Sequence, residues 1–359
     1  MGFLSLWERL GEGECIGKVV LEQVQNRGSR CCPPTRFFPM SDPISYDDVL
    51  AAEKLVHAHL PRTPLYAWPG LCELLGCEFF LKHENHLPTG AFKVRGGVNL
   101  VGGLSREEQQ QGLIGVSTGN HGQSLAFACW RFDAPLTVVV PERNNPDKLR
   151  VMKHWGAEIV EHGRDFDEAR EYCEQLAADK GLRYVHSANE PKLIAGVATC
   201  TLEILEDLQQ PDVILVPIGL GSGASGAALT AHWLSPGTEV IGVQAERAAS
   251  VALSWREGKI VSTGSADTWA EGLATRVPAE MTMDILGRHL SDVVLLSEDE
   301  LRDAVRLLLE QTHNLVEGAG AASTAAAFKL RDRLRGKRVV GIVSGGNLDL
   351  RELAAILQR

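Results

Sequence analysis

The chain has 359 residues, 44% apolar and 23% charged, with a formal charge of −10. That length supports a sizeable core and about two domains, and the acidic balance argues against a nucleic-acid surface, which needs a basic patch. No apolar run approaches the roughly 20 residues that span a bilayer, and the eight cysteines show no zinc spacing, which predicts reduced thiols in a cytoplasmic protein.

Residues 1–39 lack a sustained hydrophobic period and carry no signal-peptide pattern, so they read as a disordered or mis-assigned extension without function. Met40-Ser41-Asp42-Pro43 reads as a natural start, with Ser45 or Asp47 able to cap the following helix. From about Cys77 onward short apolar runs alternate with helical stretches. The runs are Glu78–Leu81, Leu113–Val116, Leu136–Val140, Ile159–Val160, Tyr184–Val185, Val213–Ile218, Val240–Val243, Val293–Leu296 and Val339–Val343. Most are rich in Val and Ile, as strands buried on both faces are. Between them, Pro146–Trp155 is predicted as a helix stopping at Gly156 and Asp165–Lys180 as one stopping at Gly181. Ser297–Glu300 is a capping box opening Leu301–Thr312. This alternation predicts an α/β fold with parallel sheets flanked by helices. The strands between Leu113 and Val185 suggest a smaller unit, 105–190, inserted in a larger one made of 40–104 and 191–359, with a cleft between them.

Four segments carry candidate chemistry. In Pro88-Thr89-Gly90-Ala91-Phe92-Lys93-Val94-Arg95-Gly96 a lysine sits among small and apolar neighbours. Burial favours its neutral amine, which can form a Schiff base; a surface lysine at a helix start fits the same residues. Ser117-Thr118-Gly119-Asn120-His121-Gly122-Gln123 follows a strand and opens a helix. Its backbone N–H groups suit a carboxylate or phosphate, and an ordinary N-cap is the alternative. Gly219-Leu220-Gly221-Ser222-Gly223-Ala224-Ser225-Gly226 lets amides approach a phosphate. It also satisfies G-x-G-x-x-G, with Glu246 lying 20 residues beyond Gly226, which is the dinucleotide fingerprint. Ser344-Gly345-Gly346-Asn347 places a hydroxyl at a strand end, able to meet a pyridine nitrogen or to close a turn. Ligands of such sheets bind outside the carboxyl ends of the strands, so the motifs point to one crevice.

In this order the four motifs resemble the fold type II pyridoxal-phosphate (PLP) enzymes, nearest the serine/threonine dehydratase and serine racemase group, over about Leu60 to Leu350. The resemblance implies a two-domain fold with the cofactor in the interdomain cleft. It implies that Lys93 carries the cofactor covalently, Phe92 packs on its ring and Asn120 meets the ring oxygen. Gly219, Leu220, Gly221, Ser222 and Gly223 would hold the phosphate, and Ser344 would face the pyridine nitrogen. Ser117, Thr118, Gly119, Asn120 and His121 would bind the substrate carboxylate. Ala270–Ala274 resembles a segment facing the substrate, and Glu317 opens one whose glutamate lies near the cofactor pocket. A hydroxyl rather than a carboxylate opposite the ring nitrogen weakens the electron sink and favours rapid loss of a β-hydroxyl.

Two departures from the family pattern carry weight. Leu220 and Ser222 interrupt a run of glycines, and Arg247 follows Glu246 with no acid until Glu257, which argues against a metal site. The chain ends nine residues after Leu350, leaving no room for a regulatory domain. The expected function is dehydration and deamination of a small 3-hydroxy amino acid such as L-threonine or L-serine, by a homodimer. An amino-acid racemase is the alternative, with Thr118 reprotonating the second face. A dinucleotide-dependent oxidoreductase and a non-catalytic binding protein are the readings from other classes. Arg276 and Arg143 are conceivable partners for an acidic substrate side chain.

Overall fold

The computed structural model describes residues 41–142 and 144–358, so the 1–39 extension and Arg143 lie outside the described residues. Ten strands run in chain order: β1 Leu65–Ala67, β2 Glu78–His83, β3 Leu113–Val116, β4 Leu136–Val140, β5 Glu158–Glu161, β6 Arg183–Tyr184, β7 Val213–Pro217, β8 Glu239–Ala245, β9 Asp292–Leu296 and β10 Arg338–Val343. They form a six-stranded sheet of order β1-β2-β10-β7-β8-β9 and a four-stranded sheet of order β5-β4-β3-β6. All ladders are parallel except β1 with β2.

The strand chemistry explains this arrangement. Every residue of β3 and β4 is buried, as are the first four of β7, so helices must cover both faces of each sheet. Burying each such Val, Leu or Ile side chain contributes roughly 1.5–3 kcal/mol. Only β1 escaped the sequence reading. It has three residues, two of them exposed, and lies at a sheet edge, so it shows no buried run.

Helix boundaries follow local chemistry. Ser45, not Asp47, caps the helix Tyr46–His57, in a reciprocal box with Asp48. Asp165 accepts from the amides of Asp167 and Glu168, and the helix Phe166–Lys180 stops at Gly181, whose φ of 63° suits glycine. Ser297 and Glu300 form the capping box of Glu298–Thr312.

The helix Lys93–Gly102 lies between the helices Asn120–Arg131 and Pro191–Asp207, and glycines make that fit possible. A Cβ on Gly97 would stand 2.4 Å from Ser124 Oγ, and one on Gly196 would stand 2.6 Å from the Arg95 carbonyl. Ser124 Oγ donates to the Lys93 carbonyl at 2.6 Å. The helix that begins with the candidate lysine is thereby held from both sides.

Candidate active site

Three strand ends and the Lys93 segment converge. Ala91 bridges Gly345, Phe92 N donates to the Ser344 carbonyl at 3.0 Å, and Gly346 N donates to the Gly90 carbonyl at 2.8 Å. The first and fourth motifs are thus one backbone-stitched unit. Lys93 is the first residue of its helix. Its Nζ donates to Ser222 Oγ at 2.9 Å and to the Ser187 carbonyl at 3.3 Å. The residue keeps some exposure to the cleft, yet its amine is enclosed, and desolvation lowers its pKa to about 8. The surface-lysine alternative is excluded.

The glycine loop after β7 makes a cradle lined mainly by backbone. A Cβ on Gly219 would stand 2.4 Å from the Gly272 carbonyl, and one on Gly223 would stand 2.9 Å from Phe92 Cε2. Gly221 has a φ of 99° and precedes the helix Ser222–Leu234, whose first turn has no side-chain cap. Free amides and the helix dipole there favour an anion. Leu220 does not break the cradle, because its carbonyl accepts from Thr282 Oγ1 at 2.6 Å, on the side of the helix Glu280–His289. Phe92, Gly223 and buried Ser344 line one small cavity with Val197 and Thr201.

The loop after β3 is partly self-satisfied. Ser117 N donates to the Val139 carbonyl at 3.2 Å. Its hydroxyl accepts from Gly119 N at 3.1 Å and Gly122 N at 2.8 Å. Ser117 and the Gly119 amide therefore brace the loop from within. His121 is buried with Nε2 unpartnered. Burial, then the charges of Lys93 and His186, push its pKa down to about 3, so it is a neutral imidazole.

Asn120 Nδ2 donates to Glu317 Oε1 at 2.7 Å, and Asn120 Oδ1 accepts from Asn347 Nδ2 at 2.7 Å. Burial raises the Glu317 pKa to about 7, against the pull of Lys148. Glu317 was expected near the cofactor pocket and Asn347 closes the fourth motif, but their hydrogen bonds to Asn120 were not foreseen. The two residues lie 197 and 227 residues from Asn120, so no local spacing reveals the contact.

The rival features lie elsewhere. Glu246 is a surface side chain 3.6 Å from Lys329, and Arg276 pairs with Asp167. Among the described residues no group of three His, Cys, Asp or Glu side chains is placed to hold a metal.

An enclosed amine of lowered pKa beside a glycine-rich anion cradle fits a phosphorylated aldehyde, and the comparisons agree. Residues 56–345 match the model described as pyridoxal-phosphate dependent enzyme, and the chain belongs to that family. The L-threonine ammonia-lyase of Thermotoga maritima is 35% identical over 88% of this chain and 79% of its own length. The L-threo-3-hydroxyaspartate ammonia-lyase of Saccharomyces cerevisiae is 34% identical over 87% of this chain and 96% of its own. The structure of maize serine racemase superposes with a TM-score of 0.82 at 28% identity, covering 87% of this chain and 96% of that one. PLP is the cofactor, and the dinucleotide reading of Gly221–Gly226 is set aside.

Proposed function

We propose that the protein is an ammonia-lyase that removes the β-hydroxyl of a small 3-hydroxy amino acid such as L-threonine or L-serine, yielding a 2-oxo acid and ammonia. One observation carries the reading: the Lys93 amine, desolvated and hydrogen-bonded to Ser222 at the phosphate cradle. The ammonia-lyases of Thermotoga maritima and Saccharomyces cerevisiae are both named for 3-hydroxy amino acids, which supports that substrate class.

The bound cofactor supplies an electron-withdrawing ring conjugated to the substrate nitrogen. The protein's residues do the rest. Lys93 both carries the cofactor and, once displaced, takes the Cα proton on Nζ, a role its lowered pKa suits. Gly219, Leu220, Gly221, Ser222 and Gly223 would hold the phosphate. Phe92 would pack against the ring, Asn120 would donate to its oxygen, and Ser344 would face its nitrogen. Thr118, Asn120 and His121 receive the substrate carboxylate. With the proton on Lys93, the Cβ–O bond breaks as Lys93 Nζ passes that proton to the departing hydroxyl, which leaves as water. The remaining enamine hydrolyses to the 2-oxo acid and ammonia. We assign 105–190 and 40–104 with 191–359 as the two walls of the cleft, and expect a cytoplasmic homodimer.

The test is to mix purified holoenzyme separately with L-threonine and L-serine and follow 2-oxo acid release. A visible chromophore lost in Lys93→Ala, with 2-oxo acid formed by wild type, is expected. A coloured protein that forms no 2-oxo acid but interconverts serine enantiomers would replace this reading with a racemase, for which Thr118 supplies the second-face hydroxyl.

A further inference from the structure

A directional hydrogen-bond relay ties three of the four motifs to Glu317. It starts at the Thr89 carbonyl, whose polarity the backbone fixes and which accepts from Asn347 Nδ2 at 2.8 Å. The same nitrogen donates to Asn120 Oδ1 at 2.7 Å. With its oxygen engaged there, Asn120 presents its nitrogen on the other side, and Nδ2 donates to Glu317 Oε1 at 2.7 Å. An asparagine amide can adopt either of two flipped orientations, and its partners decide which. Here a donor on one flank and a carboxyl acceptor on the other select one. The amide nitrogen carries two hydrogens, and only one is used in this relay.

Glu317 is itself held firmly. It caps the helix Gly318–Lys329, its amide donates to the Gly345 carbonyl at 3.1 Å, and a Cβ on Gly345 would stand 2.4 Å from Oε1. The carboxyl therefore occupies space that only glycine at 345 leaves open.

We propose that Glu317 is a positioning residue, which locks the Asn120 amide so that a donor, never an acceptor, faces the cofactor's ring oxygen. The inference rests on the Asn120 contact of the proposed site. The groups acting on Glu317 are Lys148 from the helix Pro146–His154, which favours its ionised form, and Glu271 from the turn Glu271–Leu273, which opposes it. Burial dominates both, and the carboxyl exchanges its proton near neutral pH. Above that point Asn120 donates to a carboxylate, a stronger bond than to a neutral acid. The cofactor's electronic state then depends on the ionisation of a group that acts through Asn120.

The experiment is a pH titration of the visible absorbance of holoenzyme, with cofactor dissociation constants, for wild type, Glu317→Gln, Glu317→Ala and Asn120→Ala. Wild type should show a transition near neutral pH. Glu317→Gln keeps an acceptor but cannot titrate, so it should retain the cofactor and lose the transition. Glu317→Ala should bind the cofactor about tenfold more weakly, as expected for a lost hydrogen bond to a charged group. A transition preserved in Glu317→Gln, or absent from wild type, overturns the proposal, and this variant alone decides if Glu317→Ala does not fold. If Asn120→Ala perturbs spectrum and affinity while the Glu317 variants do not, only the role of Glu317 falls. If Asn120→Ala changes neither, the Asn120 contact falls, and this inference with it.

Discussion

Two residues past Lys93, Arg95 carries its charge with no exposed surface. Its guanidinium donates to Glu84 at 2.6 and 2.8 Å and to Glu203 at 2.6 and 3.0 Å. Lys82 Nζ, equally buried, reaches Glu203 at 2.6 Å. Burial opposes the Glu203 carboxylate, but hydrogen bonds and charge from Arg95 and Lys82 more than offset it and bring its pKa to about 2. Removing one member of such a cluster leaves its partners charged and unsolvated, which costs about 3–5 kcal/mol. Arg95→Met is therefore expected to lose roughly that much in denaturant unfolding at neutral pH. The sign with pH is fixed. The native Glu203 pKa lies below its ordinary value of 4.5, so the pairing contributes fully above pH 4.5 and fades as pH falls toward 2. In the variant the orphaned carboxyls take up protons earlier, so the gap to wild type should shrink with acidification. A small or pH-independent gap would show that the cluster does not anchor the Lys93 helix.

At the scale of elements, that helix is wedged between two others through glycine contacts. A methyl group at Gly97 has no room: Ser124 Oγ and the Ser124 carbonyl would lie 2.4 and 2.7 Å away. Gly97→Ala must push Asn120–Arg131 outward, and overpacking of this kind costs about 1–3 kcal/mol. The shift also strains the Ser124 contact to the Lys93 carbonyl. We expect a lower melting temperature for apo- and holoenzyme alike, and weaker cofactor retention; an unchanged melting temperature would mean that the helices re-pack freely. Elements of this kind were readable before the fold was known wherever local chemistry decides them. Short apolar runs, most of them rich in Val and Ile, marked nine strands, and Gly181 and Ser297 marked helix ends. β1 was invisible because an exposed three-residue edge has no burial pattern. At the site, Lys93 and the glycine cradle were legible, since a turn and a helix start are local. The bracing of Ser117 was not legible, because whether its amide is bonded depends on Val139 in the neighbouring strand. Glu317 and Asn347 joined the constellation only through contacts between distant strand ends.

Over the whole molecule, three polar bridges run from the segment of the four-stranded sheet to the remainder of the chain, the two proposed walls of the cleft. Lys148 pairs with Glu271, Asp167 with Arg276, and Asn145 Nδ2 donates to Asp349 Oδ2 at 2.8 Å. Lys148 also lies over the loop after β3, its Nζ 3.8 Å from where a Cβ on Gly119 would stand. Glu271 and Arg276 are exposed, and ion pairs of this type contribute only about 0–1 kcal/mol each to folding. Their larger effect is on geometry, because they join the two walls that must enclose the substrate. The double variant Lys148→Ala/Arg276→Ala should therefore melt close to wild type. It should show a Michaelis constant raised about three- to tenfold, with a smaller change in kcat, because about 1 kcal/mol of lost closure appears first in binding. Salt weakens exposed pairs as the Debye length shortens. The wild-type Michaelis constant should accordingly rise with ionic strength toward that of the variant, whose own value should change little. Equal Michaelis constants at low salt, or parallel salt responses, would mean that the walls hold together through their packed helices alone, and that the bridges are incidental to closure.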